Sequence, residues 1–176
     1  MTDPNVGRTT FVGVLGREPS DEEMSRLMAA YLERLPHEVE TSPGYTVLAG
    51  VPECLAKLRN EGVLLGLTTG GLEAAAHIKL ARAGLNEFFS FGGYGSDSAD
   101  RAELTRKGIE RASEILKHPL VRAEVFVVGD TPLDIEAAHD ADATAVGVAS
   151  GVYSVDQLRE AGADHALVSL EEPFPS

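Results

Sequence analysis

The sequence predicts an α/β fold in which a parallel sheet carries helices on both faces, preceded by a helical N-terminal piece. Three observations carry that prediction. From about residue 50 onward, stretches of helical period alternate with short apolar runs over short connections, as when strands return to one sheet through helices. The runs 63-VLLGLTTGG-71, 125-VFVVGD-130 and 144-TAVGVAS-150 are apolar almost throughout rather than alternating, so the strands are expected to be buried on both faces. Glycine, Asp or Ser closes each run, where a strand must turn into a helix.

In chain order, 20-SDEEMSRLMAAYLERLPHEVE-40 is the first strong element. Ser20 followed by Glu23 makes a capping box, and Met24, Leu27, Met28, Tyr31, Leu32 and Leu35 recur at helical spacing, with Pro36 expected to end or kink the helix. The turn signal SPGY at 42–45 places a boundary near 42–46, dividing a helical piece (1–44) from an α/β body (45–176). In the body, a helix over 50–61 leads into the strand 63–71, and a helix over 72–83 ends at Gly84. FFSFGGYG (88–95), a helix over about 101–117, the strand 125–130, a helix over 132–141, the strand 144–150, a helix over 155–161 and ALVSL (166–170) follow. FGGYGSD lacks a following Gly-Lys-Ser/Thr and reads as a turn, not a nucleotide cradle.

A length of 176 residues with 43% hydrophobic and 24% charged residues fits one ordinary domain. The 15 basic residues against 28 acidic ones give a formal charge of -13, which repels nucleic acid and anionic membranes. An anionic substrate would then need local positive charge from a metal, a Lys or Arg, or a helix N-terminus. Cys54, alone, excludes a disulfide framework and reads as a buried thiol. The five histidines lack metal spacing. No apolar leader or membrane-length run is present, so a cytoplasmic location is expected.

Ligands of such sheets bind beyond the carboxyl ends of the strands. One strand closes on Thr68, Thr69, Gly70 and Gly71, a hydroxyl followed by residues that let backbone approach a ligand. Another closes on Asp130, with Thr131 and Asp134 just after it. Two converging carboxylates repel each other unless a cation or proton lies between them, and Mg²⁺ held by carboxylates, waters and a substrate phosphate suits the pair. The plainer alternative makes Asp130 a turn residue and Asp134 a helix-start acid. Tyr153 could line the crevice or simply pack.

VVGDTPLDIEAA resembles the fourth motif of the haloacid dehalogenase superfamily, and LGLTTGG its second, with Thr69 at the phosphate-binding position. AVGVASGVYSVDQLREAGADHALVSL resembles the end of its phosphoglycolate-phosphatase-like members. The resemblance implies a Rossmann-like core, Mg²⁺, and hydrolysis of a small phosphorylated metabolite through an aspartyl-phosphate. It makes Asp130 a metal ligand, Asp134 its support, and Thr69, Gly70 and Gly71 the phosphate cradle. For the cationic third motif, Arg101, Arg106 and Lys107 compete; Arg101 is chosen because it falls at a helix N-terminus, whereas Lys107 lies about two turns inside.

The family's first motif, Asp-x-Asp-x-Thr at the tip of the first strand, supplies nucleophile and acid/base, and the chain is read as carrying no such sequence anywhere. Asp3 is the nearest candidate, with Asp97 and Asp100 in reserve. TDPNVGRTTF and the helix after it resemble the second half of a helical cap, so 1–44 is expected to be a cap remnant and the chain an inactive, N-terminally truncated one. In the family's sheet the missing strand lies between VFVVGD and VLLGLTTG. Those two are expected either to close up or to leave a slot, which could drive self-association. Three functions remain: a Mg²⁺-dependent phosphatase, a non-catalytic phosphate- or metal-binding pseudoenzyme, and a metal-independent dehalogenase, against which the paired carboxylates argue.

Overall fold

Five parallel strands form two sheets rather than one. In this computed structural model, which describes residues 2–175, β1 (Leu67–Thr69) pairs with β2 (Gly92–Tyr94), and β3 (Phe126–Gly129) pairs with β4 (Thr144–Val148), which pairs with β5 (His165–Leu167). Seven helices interleave them: α1 (Asp3–Leu15), α2 (Asp21–Thr41), α3 (Val51–Asn60), α4 (Glu73–Ala81), α5 (Arg101–Leu116), α6 (Pro132–Asp140) and α7 (Val155–Glu160). Every element expected from the apolar pattern is present, and the strands are shorter than their apolar runs.

Among the described residues β1 has no ladder partner but β2, and β3 none but β4. The two strands expected to flank a missing one therefore neither close up nor share a partner. Helices make the connection instead: α5 packs on β1 and β2, and against α6, which covers β3 and β4. The expectation of strands buried on both faces holds for β2 and for most of β4. It fails beside the gap, where Val128 of β3 is 40% exposed and β1 is only half-buried throughout. An edge strand lacks the neighbour whose side chains would cover it.

The best-packed core sits in the three-stranded half, where Val127, Ala143 and Ala145 meet Ile135 and Ala138 of α6 and Leu158 of α7. Tyr153 packs half-buried against this cluster, so it takes the packing role. Cys54 is buried on α3, and burial pushes its thiol pKa up.

The Ser20–Glu23 capping box forms as expected, with reciprocal bonds of 3.2 and 2.8 Å. Arg17 forks onto the same Glu23, and with the Ser20 amide it holds that carboxyl down at about 2. Pro36 does not end α2, which runs through it to Thr41. An interior proline costs about 3 kcal/mol, and tertiary contacts offset that cost. Arg82, just past α4, donates to the carbonyls of Val39 and Ser42, and the Tyr45 hydroxyl donates to the Lys79 carbonyl at 2.7 Å. These bonds dock the end of α2 on α4.

Candidate active site

Thr69 is the last residue of β1, and its hydroxyl accepts the Gly71 amide at 3.1 Å, curling the chain toward α4. At Gly71 a Cβ would stand 3.4 Å from both the Thr69 Oγ1 and the Asp3 Oδ2. The loop after β2 lies alongside, with the Gly95 amide donating to the Gly71 carbonyl at 2.8 Å. Asp97 then folds the chain back. It accepts the Tyr94 amide at 2.9 Å and a two-pronged contact from Arg111 at 2.8 Å each, and the Arg111 bonds hold its carboxyl pKa below the ordinary value. Asp100 caps α5 by accepting the Glu103 amide at 3.1 Å, which puts Arg101 in the first turn.

The second sheet contributes Asp130, Thr131 and Asp134. Thr131 caps α6 and forms a reciprocal box with Asp134, whose Oδ2 accepts the Thr131 amide at 3.1 Å and the Thr131 hydroxyl at 2.7 Å. The other oxygen of Asp134 accepts from Arg101. Asp134 is thus a helix-capping residue, as the plainer alternative held, and also the anchor of a guanidinium. Asp130 stands against Gly151, where a Cβ would lie 2.2 Å from its Oδ2, and among the described residues its carboxylate accepts no hydrogen bond.

These contacts revise the charge reasoning. The cation needed between converging carboxylates is supplied, for Asp134, by Arg101. Asp3, beside the Thr69 loop, and Asp130, beside Gly151, have no guanidinium partner among the described residues. Among the described residues no three His, Cys, Asp or Glu side chains gather as a metal cage. Lys107 pairs with Glu110 at 2.7 Å on the surface, and Arg106 with Glu103, which leaves Arg101 as the cation at the site. A cavity of about 780 Å³ between residues 47–57 and 170–174 touches none of these residues.

Comparison with known proteins bears on this arrangement. The sequence profile of haloacid dehalogenase-like hydrolases matches residues 9–142. The chain belongs to that family. It is 28% identical over 182 residues to "Probable phosphatase IndB" of Dickeya dadantii, covering 91% of this chain and 74% of that protein. It is 28% identical over 123 residues to "Pyrophosphatase PpaX" of Listeria monocytogenes, covering 70% of this chain and 55% of that protein. The chain thus spans little more than half the length of that pyrophosphatase. Among solved structures, a "predicted phosphoglycolate phosphatase" from Haemophilus somnus superposes with a TM-score of 0.65 at 18% identity, covering 95% of this chain and 72% of that one. A hydrolase from Pseudomonas syringae gives 0.62 at 24%, covering 96% and 74%. Both share the α/β fold.

In this haloacid dehalogenase-like chain the three candidate nucleophiles already have partners. Asp97 is held by Arg111, Asp100 caps α5, and Asp3 accepts the Leu72 amide at 3.0 Å. The expectation that no Asp-x-Asp-x-Thr occurs in the chain is wrong, since 140-DADAT-144 spells it. It lies before β4, not after a strand. Asp140 and Asp142 are exposed, Asp142 has the left-handed φ of 54° that marks a turn, and Thr144 registers with Phe126 at the start of β3. In a parallel pair that is the opposite end from Asp130, about 10 Å or more away at the ordinary rise per residue. These aspartates make the turn into β4.

The residues that sequence reasoning missed are Thr131, Arg111 and Asp3 in its docked role. Thr131-Pro-Leu-Asp134 carries the capping signature openly. Nothing in the sequence signals the Arg111–Asp97 pair, which depends on how the loop after β2 folds back.

Proposed function

We propose that the loops closing β1 and β3 bind the terminal phosphate of a small metabolite together with Mg²⁺, in a phosphate-monoester hydrolase of the phosphoglycolate-phosphatase-like kind. The observation that supports this is the unpartnered Asp130 carboxylate on the loop that closes β3. A phosphate cannot enter there without added positive charge, and a hard cation held by one carboxylate, waters and phosphate oxygens is chemically suited. Asp130 would hold the ion, which when bound offsets the charge of the phosphoryl group. Thr69 and the Gly70–Gly71 backbone would hold phosphate oxygens, and Arg101 would turn from Asp134 toward the phosphate as a fork. With no membrane-length apolar helix among the described residues, we place this activity in the cytoplasm.

The 176-residue chain by itself is expected not to turn over. A carboxylate must lie in line with the departing oxygen and a second must protonate it, and the aspartates near the loops other than Asp130, which is assigned to the metal, are committed to caps, amides or guanidinium groups. Binding ground and transition states equally gives no acceleration. This favours, as a second reading, a phosphate- and metal-binding module without catalysis. Calorimetry should show Mg²⁺ binding to the wild type that is lost in Asp130→Asn, with no release of product from an aryl phosphate by either. Equal Mg²⁺ affinity in the two would remove Asp130 from the site, and turnover abolished by Asp130→Asn would show a nucleophile placed wrongly.

A further inference from the structure

Asp3 opens α1, yet its hydrogen bonds reach the loop after β1. Its amide donates to the Gly70 carbonyl at 2.8 Å, and its Oδ2 accepts the Leu72 amide at 3.0 Å. Leu72 is the N-cap of α4, where unpaired amides and the helix dipole favour an anion. The same Oδ2 and the Thr69 Oγ1 flank one point, each 3.4 Å from where a Cβ on Gly71 would be. The segment is seated. Thr2 is 3% exposed, and a Cβ on Gly95 would lie 3.1 Å from its own Cβ. The Tyr31 hydroxyl of α2 faces Asp3, whose charge adds to burial in raising the tyrosine's pKa.

We propose that Asp3 is an internal occupant of the phosphate loop, a tethered carboxylate that a terminal phosphate must displace, so that the loop accepts phosphate dianions and rejects free carboxylates. This rests on the assignment of that loop as the phosphate site. A carboxylate of the same chain, seated at the loop by its own amide on the Gly70 carbonyl, has a high effective concentration, so a free monocarboxylate offering the same chemistry cannot compete. A phosphate brings about two charges and three strong acceptors and can. Because Asp3 is the first residue of α1, its displacement also shifts the start of that helix, which ties phosphate occupancy to the N-terminal helices.

The test is titration of isotope-labelled protein with inorganic phosphate and with acetate at low ionic strength, with Mg²⁺ present, following the Asp3 and Leu72 amide resonances. Asp3→Asn keeps an acceptor for the Leu72 amide and removes the charge, and it should bind phosphate about tenfold more tightly than wild type. In the wild type, phosphate should move both resonances and acetate neither. Phosphate affinity unchanged or weakened in Asp3→Asn, with Thr69→Ala abolishing it, would overturn the role of Asp3 and leave the phosphate site standing. Phosphate binding by neither form would remove both. Binding by Asp3→Asn alone would mean that Asp3 closes the loop completely. Should Asp3→Asn not fold, the wild-type resonances decide: no movement with phosphate, or equal movement with acetate, overturns the proposal.

Discussion

Gly93 is where the seating of α5 can be tested most directly. A Cβ built there would stand 1.7 Å from the Leu104 carbonyl oxygen and 2.6 Å from its carbon, against the 3.4 Å at which ordinary contact begins. Both obstacles are backbone. No side chain can rotate away, so Gly93→Ala must lift α5 off β2 by more than an ångström. α5 also packs on β1 and α6, and the cost should reach the upper end of overpacking, about 3 kcal/mol. For a chain of this size that is a fall in melting temperature of about 6–12 °C. Gly13→Ala is the control. Nothing lies within 4 Å of a Cβ there, in an exposed turn of α1, and alanine should add about 0.5–1 kcal/mol through helix propensity. Thermal melts followed by circular dichroism read both. A Gly93→Ala protein melting within 2 °C, roughly, of wild type would refute the close seating of α5 and with it the placement of Arg101.

Two further outcomes follow from the charges. Arg101→Ala frees one oxygen of Asp134, and calorimetry should show Mg²⁺ binding strengthened and phosphate binding weakened by about tenfold, in the range of a charged hydrogen bond; Lys107→Ala should change neither, and a matching loss there would move the third-motif role to Lys107. Asp97, held down chiefly by Arg111, and Asp164, held down chiefly by the Ala145 amide at 2.8 Å, both have pKa values below their ordinary 3.8 in the folded state. Depressed carboxyls add stability that is fully present above the ordinary value and is lost as pH falls through the folded ones. Urea unfolding should therefore give a stability that stays level from neutral pH toward about 5 and drops below about 4, with the drop reduced in Asp97→Asn; a stability that rises on acidification would contradict both assignments.

Much of the fold was legible because its signals are local. The capping box at Ser20, the continuous apolar run of β3 and the Thr-Gly-Gly after β1 each act within a few residues. The place of Arg101 in the first turn of α5 was legible the same way, by counting to a helix N-terminus. Long-range packing decided what was not legible. Pro36 looks like a stop until Arg82 and Tyr45 tie the end of α2 to α4. Asp134 looks like half of a metal pair until Arg101, 33 residues away in sequence, takes one of its oxygens. The sequence reading missed 140-DADAT-144 altogether, and its place before β4 explains why spelling alone misleads.

The site is held together differently from one built on a continuous sheet. Thr69 and Arg101 belong to the half formed by β1, β2 and α5, and Asp130 and Asp134 to the half formed by β3, β4, β5 and α6. No described strand ladder joins the halves. Their relative position rests on the packing of α5 against α6, on the Arg106 guanidinium donating to the Asp140 carbonyl, on the close approach of Gly50 to Leu170 and Glu171, and on the ion pair of Arg101 with Asp134 at the mouth of the candidate site. Side chains 40% and 12% exposed give such a pair intermediate strength, weaker than a buried one and less screened than a surface one. A phosphate drawing Arg101 away would release that strap, and the charge it brings must restore the link by bridging the Thr69 loop and a cation on Asp130. Ligand binding and the docking of the two halves are then one equilibrium, and stabilisation of the fold by phosphate with Mg²⁺ should exceed the sum of what either does alone.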